Sequence, residues 1–150
     1  MKATIRTALA GLVVVMISAG AASAQAPEVV QRQDIMKANA ASMRVLVPMA
    51  RGDQPFNGMA AAQAATAIAE SAQRAKALFP SAATAGGTRA QPAIWERKSE
   101  FEGYFDRISE AARNAARFAA AGDEAAFKGA FPAIGQTCVA CHTPFQRPAN

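Results

Sequence analysis

Residues 135–145 read GQTCVACHTPF and hold both cysteines and the single histidine of this 150-residue chain within five consecutive positions, Cys138 to His142. Upstream of them, apolar residues recur at helical spacing: Phe127, Phe131, Ile134, then Cys138, Cys141 and Phe145. That period of three and four places the run on an α-helix. On such a helix Cys138, Cys141 and His142 share one face, because residues three or four apart are neighbours. Two thiols at this spacing can add across the two vinyl groups of a haem, each giving a thioether, and the adjacent imidazole is then positioned to bind the iron.

Other readings of the same residues are weaker. A structural zinc site takes four N or S ligands, and three are on offer here. A thioredoxin-like C-x-x-C active site belongs to a βαβ context, which the sequence lacks. A local disulfide beside an incidental histidine is the remaining alternative, and with it a haem-free helical bundle using C-x-x-C as a thiol switch.

The other end of the chain predicts the compartment. In MKATIRTALAGLVVVMISAGAASA, Lys2 and Arg6 form a positive head, an apolar run follows, and Ala22-Ser23-Ala24 is an A-x-A cleavage site. The apolar run is shorter than the roughly 20 residues a membrane-spanning helix needs. We expect a signal peptide over residues 1–24, cleavage after Ala24, and a single domain over 25–150. The signal is of bacterial type, and export places the protein in the periplasm. Two thiols so close together would not stay free and idle in that oxidising compartment. Removing the charges of Lys2 and Arg6 from the formal net charge of +5 leaves +3. The remaining basic residues are spread along the chain, which argues against nucleic-acid binding. No second segment is apolar enough for membrane insertion after cleavage.

Between these ends, alanine dominates and strand-type alternation is missing. The breakers divide the mature chain into four helical segments. The first is expected over about residues 27–49, opened by Pro27 and closed by Gly52 and Pro55. The second runs from an N-cap at Asn57 to about Phe79, before Pro80. The small, polar run PSAATAGGTRAQP is a loop. The third opens at Pro92 and stops at Gly122, a good residue for the left-handed position after a helix. Asp123 caps the fourth. Pro132 removes a backbone donor inside that last helix, which predicts a kink or break near Ala130, and Pro144 should loosen the helix just after His142. Four helices with short links give an all-α fold, an antiparallel up-down-up-down four-helix bundle.

Bundle geometry extends the site. His142 lies about five residues from its helix end, roughly 7–8 Å, and the matching level on helix one is Arg32 to Met36. Leu78, Phe79, Ile94 and Trp95 are expected to border the haem at the same end. His142 is the single histidine, so bis-histidine ligation is excluded. Met36 matches the iron's level better than Met43, which is roughly 10 Å further along the axis. Met36 is either a sixth iron ligand or an apolar lid over the distal face, with the lid favoured. Arg32, one turn before Met36, can reach a haem propionate.

With these pieces assembled, the chain resembles the class II c-type cytochromes, cytochrome c′ and cytochrome c-556. The resemblance covers nearly all of the mature chain and rests on RQDIM (Arg32 to Met36), LFP (Leu78 to Pro80), PAIWERKSEF (Pro92 to Phe101) and CVACHTPF (Cys138 to Phe145). It implies a four-helix bundle, often a homodimer, with one covalently bound haem c. It implies that Arg32 and Gln33 lie near the propionates, that Met36 covers the distal face, and that Thr84 in TAGG lies near a propionate. It implies either a five-coordinate iron that binds NO or CO, or a six-coordinate iron with methionine as second ligand. Family members commonly carry arginine four residues after the haem histidine, whereas this chain has Gln146 followed by Arg147. Pro144 is also unusual there.

The expected function is electron transfer, diatomic gas binding, or both, with redox partner proteins unassigned. Peroxide chemistry needs a distal acid–base group, usually a second histidine, so an enzyme is not expected beyond slow NO scavenging.

Overall fold

A computed structural model describes residues 26–80 and 88–148. The expected signal peptide and Thr84 lie outside these residues. Six helices follow in chain order: α1 (Pro27–Arg51), α2 (Gly58–Lys76), α3 (Ala93–Glu96), α4 (Lys98–Ala120), α5 (Glu124–Ala130) and α6 (Pro132–Phe145). They form the expected four-helix bundle, with α3 leading into α4 and α5 into α6. Among the described residues, β-structure is limited to one isolated bridge, Ala90 to Gln146.

The helix ends follow the local chemistry of the sequence. Pro27 opens α1, where a missing N–H costs nothing. Gly52 closes it in the left-handed region at φ +81°, with its N–H on the Met49 carbonyl and the Asp53 N–H on that of Pro48. Gly122, at φ +74°, closes α4 in the same way, with the Gly122 and Asp123 N–H groups on the carbonyls of Ala119 and Phe118. This paired arrangement satisfies carbonyls that a helix end leaves orphaned. Asn57 accepts from the Ala60 N–H at 3.0 Å, and Asp123 from the Ala126 N–H at 2.9 Å, so both expected caps are in place.

One expectation about continuity needs correction. The third segment is not one helix from Pro92 to Gly122. Arg97 leaves the helical region at φ −119°, ψ 46° and separates α3 from α4. Its guanidinium is held outside the helix by Glu100 at 3.2 Å and by the Phe145 ring at 4.8 Å. Tertiary contacts thus override a locally good helical sequence. Beyond Pro144, α6 runs one residue further, to Phe145, and the Gln146 N–H reaches the His142 carbonyl at 3.0 Å. The break near Ala130 is present. Pro132 has no N–H to offer the Lys128 carbonyl, and α6 restarts there.

Small side chains set the spacing of the bundle. Ala61, Ala65, Ala69, Ala112, Ala115 and Ala119 are buried in one core with Leu46, Ile68, Phe127 and Ile134. The α2 and α4 backbones approach so closely that a Cβ on Gly58 would overlap the Ala119 carbonyl oxygen. Buried Ser109 donates from α4 to the Ala69 carbonyl of α2 at 3.1 Å, which satisfies its hydroxyl inside this interface. A second core, around Phe79, Ile94, Phe101, Phe105 and Phe145, occupies the other end of the bundle.

Candidate haem site

At that aromatic end α1 and α6 stand apart and enclose a cavity of about 880 Å³. From α1 it takes Val29, Arg32, Gln33, Met36, Lys37 and Ala40, one helical face by their spacing of three and four. From α6 it takes Cys141, His142 and Phe145. Phe79, Phe101 and Phe105 complete an apolar floor. Their rings meet edge to face, at 4.7 Å between Phe79 and Phe101 and 5.0 Å between Phe101 and Phe105. The Lys98 ammonium holds the backbone at the end of that floor by donating to the Phe79 carbonyl at 2.8 Å.

The sequence-derived residues converge here in large part. Arg32, Gln33, Met36, Cys141 and His142 share the one cavity. Cys138 lies one turn before Cys141, half-buried against the lower core, and both thiols are unbridged. Of the methionines among the described residues, Met43 and Met49 pack in the lower core and Met59 is exposed, while Met36 opens on the cavity. Phe79 and Ile94 line the cavity as expected. Leu78 and Trp95 do not. They pack, half-buried, against the aromatic core without reaching the cavity.

The cavity combines an apolar interior with a few placed polar groups. Arg32 is the notable one: its side chain is 6% exposed and its guanidinium sits 4.5 Å from the Phe79 ring centroid. Burial pulls its pKa below the ordinary arginine value, against the opposing charge of Glu28. On α6, burial lowers the pKa of His142, aided by the charge of Arg89, which keeps the imidazole neutral and able to donate to a metal. Burial raises the Cys138 thiol, and pushes Cys141 up to about 11 with the neighbouring Cys138 adding to the effect.

A strap outside the sequence reading closes one side. The Gln91 N–H donates to the Phe145 carbonyl at 3.1 Å, the Arg147 N–H to the Arg89 carbonyl at 2.8 Å, and the Arg89 Nε–H back to the Arg147 carbonyl at 2.9 Å. The Arg147 guanidinium also donates to the Thr88 carbonyl. Thus Arg147 is held by the strap, and it is Arg89 whose charge is felt at His142. No local signal in the sequence marks this pairing, since its partners are separated by more than 50 residues. The cavity residues Val29 and Ala40, by contrast, were within reach of the helical period through Arg32 and Met36.

The cavity's size falls in the range of cofactor pockets, about 300–1,000 Å³. The sequence profile of cytochrome c′ matches residues 28–146. The chain belongs to the cytochrome c′ family. It is 34% identical to cytochrome c′ of Rhodopseudomonas palustris, over 97% of each chain. It is 30% identical to cytochrome c-556 of Agrobacterium fabrum, over 95% of each. The solved structure of cytochrome c′ from Rhodopseudomonas palustris superposes with a TM-score of 0.74 at 29% identity, covering 84% of this chain and 100% of that one. This member is a class II c-type cytochrome, and its cofactor is covalently attached haem c. The residues present fit that group: an apolar slot, the Cys141 thiol and a neutral imidazole on one wall with Cys138 one turn away outside the lining, and a buried cation on the other. Among the described residues no helix is long and apolar enough to cross a membrane.

Proposed function

We propose that this chain is a periplasmic monohaem cytochrome whose haem is joined to Cys138 and Cys141 and ligated by His142. Electron transfer and binding of NO or CO are its activities, and slow NO scavenging is the one chemical turnover that fits. The observation that carries the reading is the cavity itself, with Cys141 and His142 on α6 facing Met36 and Arg32 on α1. Bound haem supplies a one-electron iron couple and, on any open face, a site for a diatomic gas. Arg32 and Gln33 receive the propionates, and the Arg32 guanidinium is held ready for them by the Phe79 ring. The aromatic floor excludes water from the rest of the macrocycle. A neutral His142 gives a nitrogen donor without first losing a proton.

Met36 acts as an apolar lid. It is 37% exposed towards the cavity, and a lid that is displaced rather than bonded admits small neutral ligands and disfavours anions. The reading in which Met36 ligates draws support from the relatives named cytochrome c-556. Reduced-minus-oxidised spectra with and without NO separate the two. A broad high-spin Soret band that shifts with NO supports the lid, and a sharp low-spin reduced α-band supports ligation. Covalent haem staining on a denaturing gel tests the attachment.

Residues 1–24 serve as the signal for export in this reading, which N-terminal sequencing of the mature protein checks. The homodimer implied by the resemblance is checked by sedimentation. The haem c of the family removes the ground for a haem-free thiol switch.

A further inference from the structure

A second groove, of about 860 Å³, runs along the outside of the bundle between α4 and α6. Its α4 wall carries Arg107, Arg113 and Arg117, and its α6 wall carries Ala133 and Thr137. Other cations of α4 and its neighbours are neutralised: Arg97 by Glu100, Lys98 by Glu102 and Lys76 by Asp106. The three groove arginines form no ion pair among the described residues, although Glu110 stands between them. Two of them are nevertheless held in place. The Arg107 guanidinium lies 4.1 Å from the Tyr104 ring centroid. That of Arg117 lies 4.4 Å from the Phe118 ring centroid and donates to Asn114 Oδ1 at 2.6 Å. Guanidiniums stacked on their own helix lose little further freedom on binding, so their unsatisfied donors are prepared for carboxylates.

The groove also lies against the haem-bearing turn. Thr137 precedes Cys138, and Ile108, next to Arg107, packs in the same cluster as Cys141. We propose that this groove docks the acidic surface of a redox partner, whose carboxylates engage Arg107, Arg113 and Arg117. One electron passes between the haem iron and the partner's one-electron centre, and no bond is made or broken. The proposal rests on the haem reading above. A second copy of this chain is a poor occupant, because the mature protein is itself positively charged.

The test uses the haem-loaded protein and two double variants with equal charge change: Arg113→Glu/Arg117→Glu in the groove, and Arg44→Glu/Arg51→Glu on α1. Covalent-haem absorbance is measured first; its absence in the wild-type protein counts against the haem reading, not against docking. Fluorescence anisotropy then follows a dye-labelled octaglutamate, and stopped flow follows oxidation of the ferrous protein by hexacyanoferrate(III), which gains the electron to become hexacyanoferrate(II). At about 10 mM ionic strength, where charges are felt over about 30 Å, the groove variant is expected to weaken peptide binding and slow oxidation about tenfold. The α1 variant should change each by less than about threefold, and differences should shrink at about 0.5 M salt. Arg113→Gln/Arg117→Gln, which removes charge without reversing it, should give an intermediate loss and stands in if the glutamate pair misfolds. Equal losses in the groove and α1 variants, or an unchanged groove variant, overturn the proposal.

Discussion

The Arg32 guanidinium of α1 lies over the Phe79 ring beyond the end of α2, 4.5 Å from its centroid, with the side chain almost wholly removed from solvent. A charge placed there acts directly on the proposed haem site. Removing it by Arg32→Met should destabilise the ferrous state relative to the ferric one, because a nearby cation opposes additional positive charge on the iron. The midpoint potential should fall by on the order of tens of millivolts at an effective dielectric near 20. Spectroelectrochemical titration checks this.

Met36→Leu separates a lid from a ligand at nearly constant volume. With Met36 as lid, the ferrous spectrum should be unchanged and NO or CO affinity should move less than about tenfold. Loss of a low-spin α-band in the variant would show that the sulfur had been bonded to iron.

The two thiols should be sluggish before haem is attached. Burial raises both, Cys141 to about 11, so at neutral pH they are overwhelmingly protonated. In haem-free chain made in a host without haem-attachment machinery, iodoacetamide alkylation should be slow at pH 7. It should rise steadily between pH 8 and 11 as the thiolate fraction of Cys141 grows, as mass spectrometry would follow. The raised value has a stability consequence of fixed sign. The unfolded chain loses these protons at lower pH than the folded one, so haem-free protein should lose stability as pH rises above about 8.5. Cys138→Ala/Cys141→Ala should yield no haem that survives denaturation.

His142 has the opposite direction in the same haem-free chain. Its folded pKa lies below the unfolded one, so its contribution is fully present above about pH 6.5 and is lost as pH falls through that region. Urea denaturation at pH 7.5 and pH 5 should show the decrease, and His142→Gln should reduce it.

Gly58→Ala tests the close approach of α2 to α4. The added methyl meets the Ala119 carbonyl oxygen, a backbone atom that cannot swing aside. A loss of about 1–3 kcal/mol is expected in urea denaturation, although glycine-to-alanine changes ordinarily favour a helix.

Much of the architecture was readable locally. Cys138, Cys141 and His142 announce their chemistry through spacing alone, and no distant residue alters which face of a helix they share. Asn57, Asp123, Gly52 and Gly122 mark helix ends because each supplies a hydrogen bond or a backbone angle that its neighbours cannot. Pro132 breaks the last helix through its own missing N–H.

What sequence did not determine was decided by partners far along the chain. Arg97 leaves the helix where Phe145 and Glu100 hold its side chain, and within α3 Ile94 faces the cavity while Trp95, its neighbour on the helical turn, does not. The strap between residues 88–91 and 145–147 depends on backbone pairing across the bundle and assigns to Arg89 the charge felt at His142. Short-range periodicity and capping set which segments are helical and which face carries Cys138, Cys141 and His142. The aromatic floor, the burial of Arg32 and the arginine groove beside α6 arise only when helices distant in sequence pack together, because burial and Coulomb fields depend on position in space.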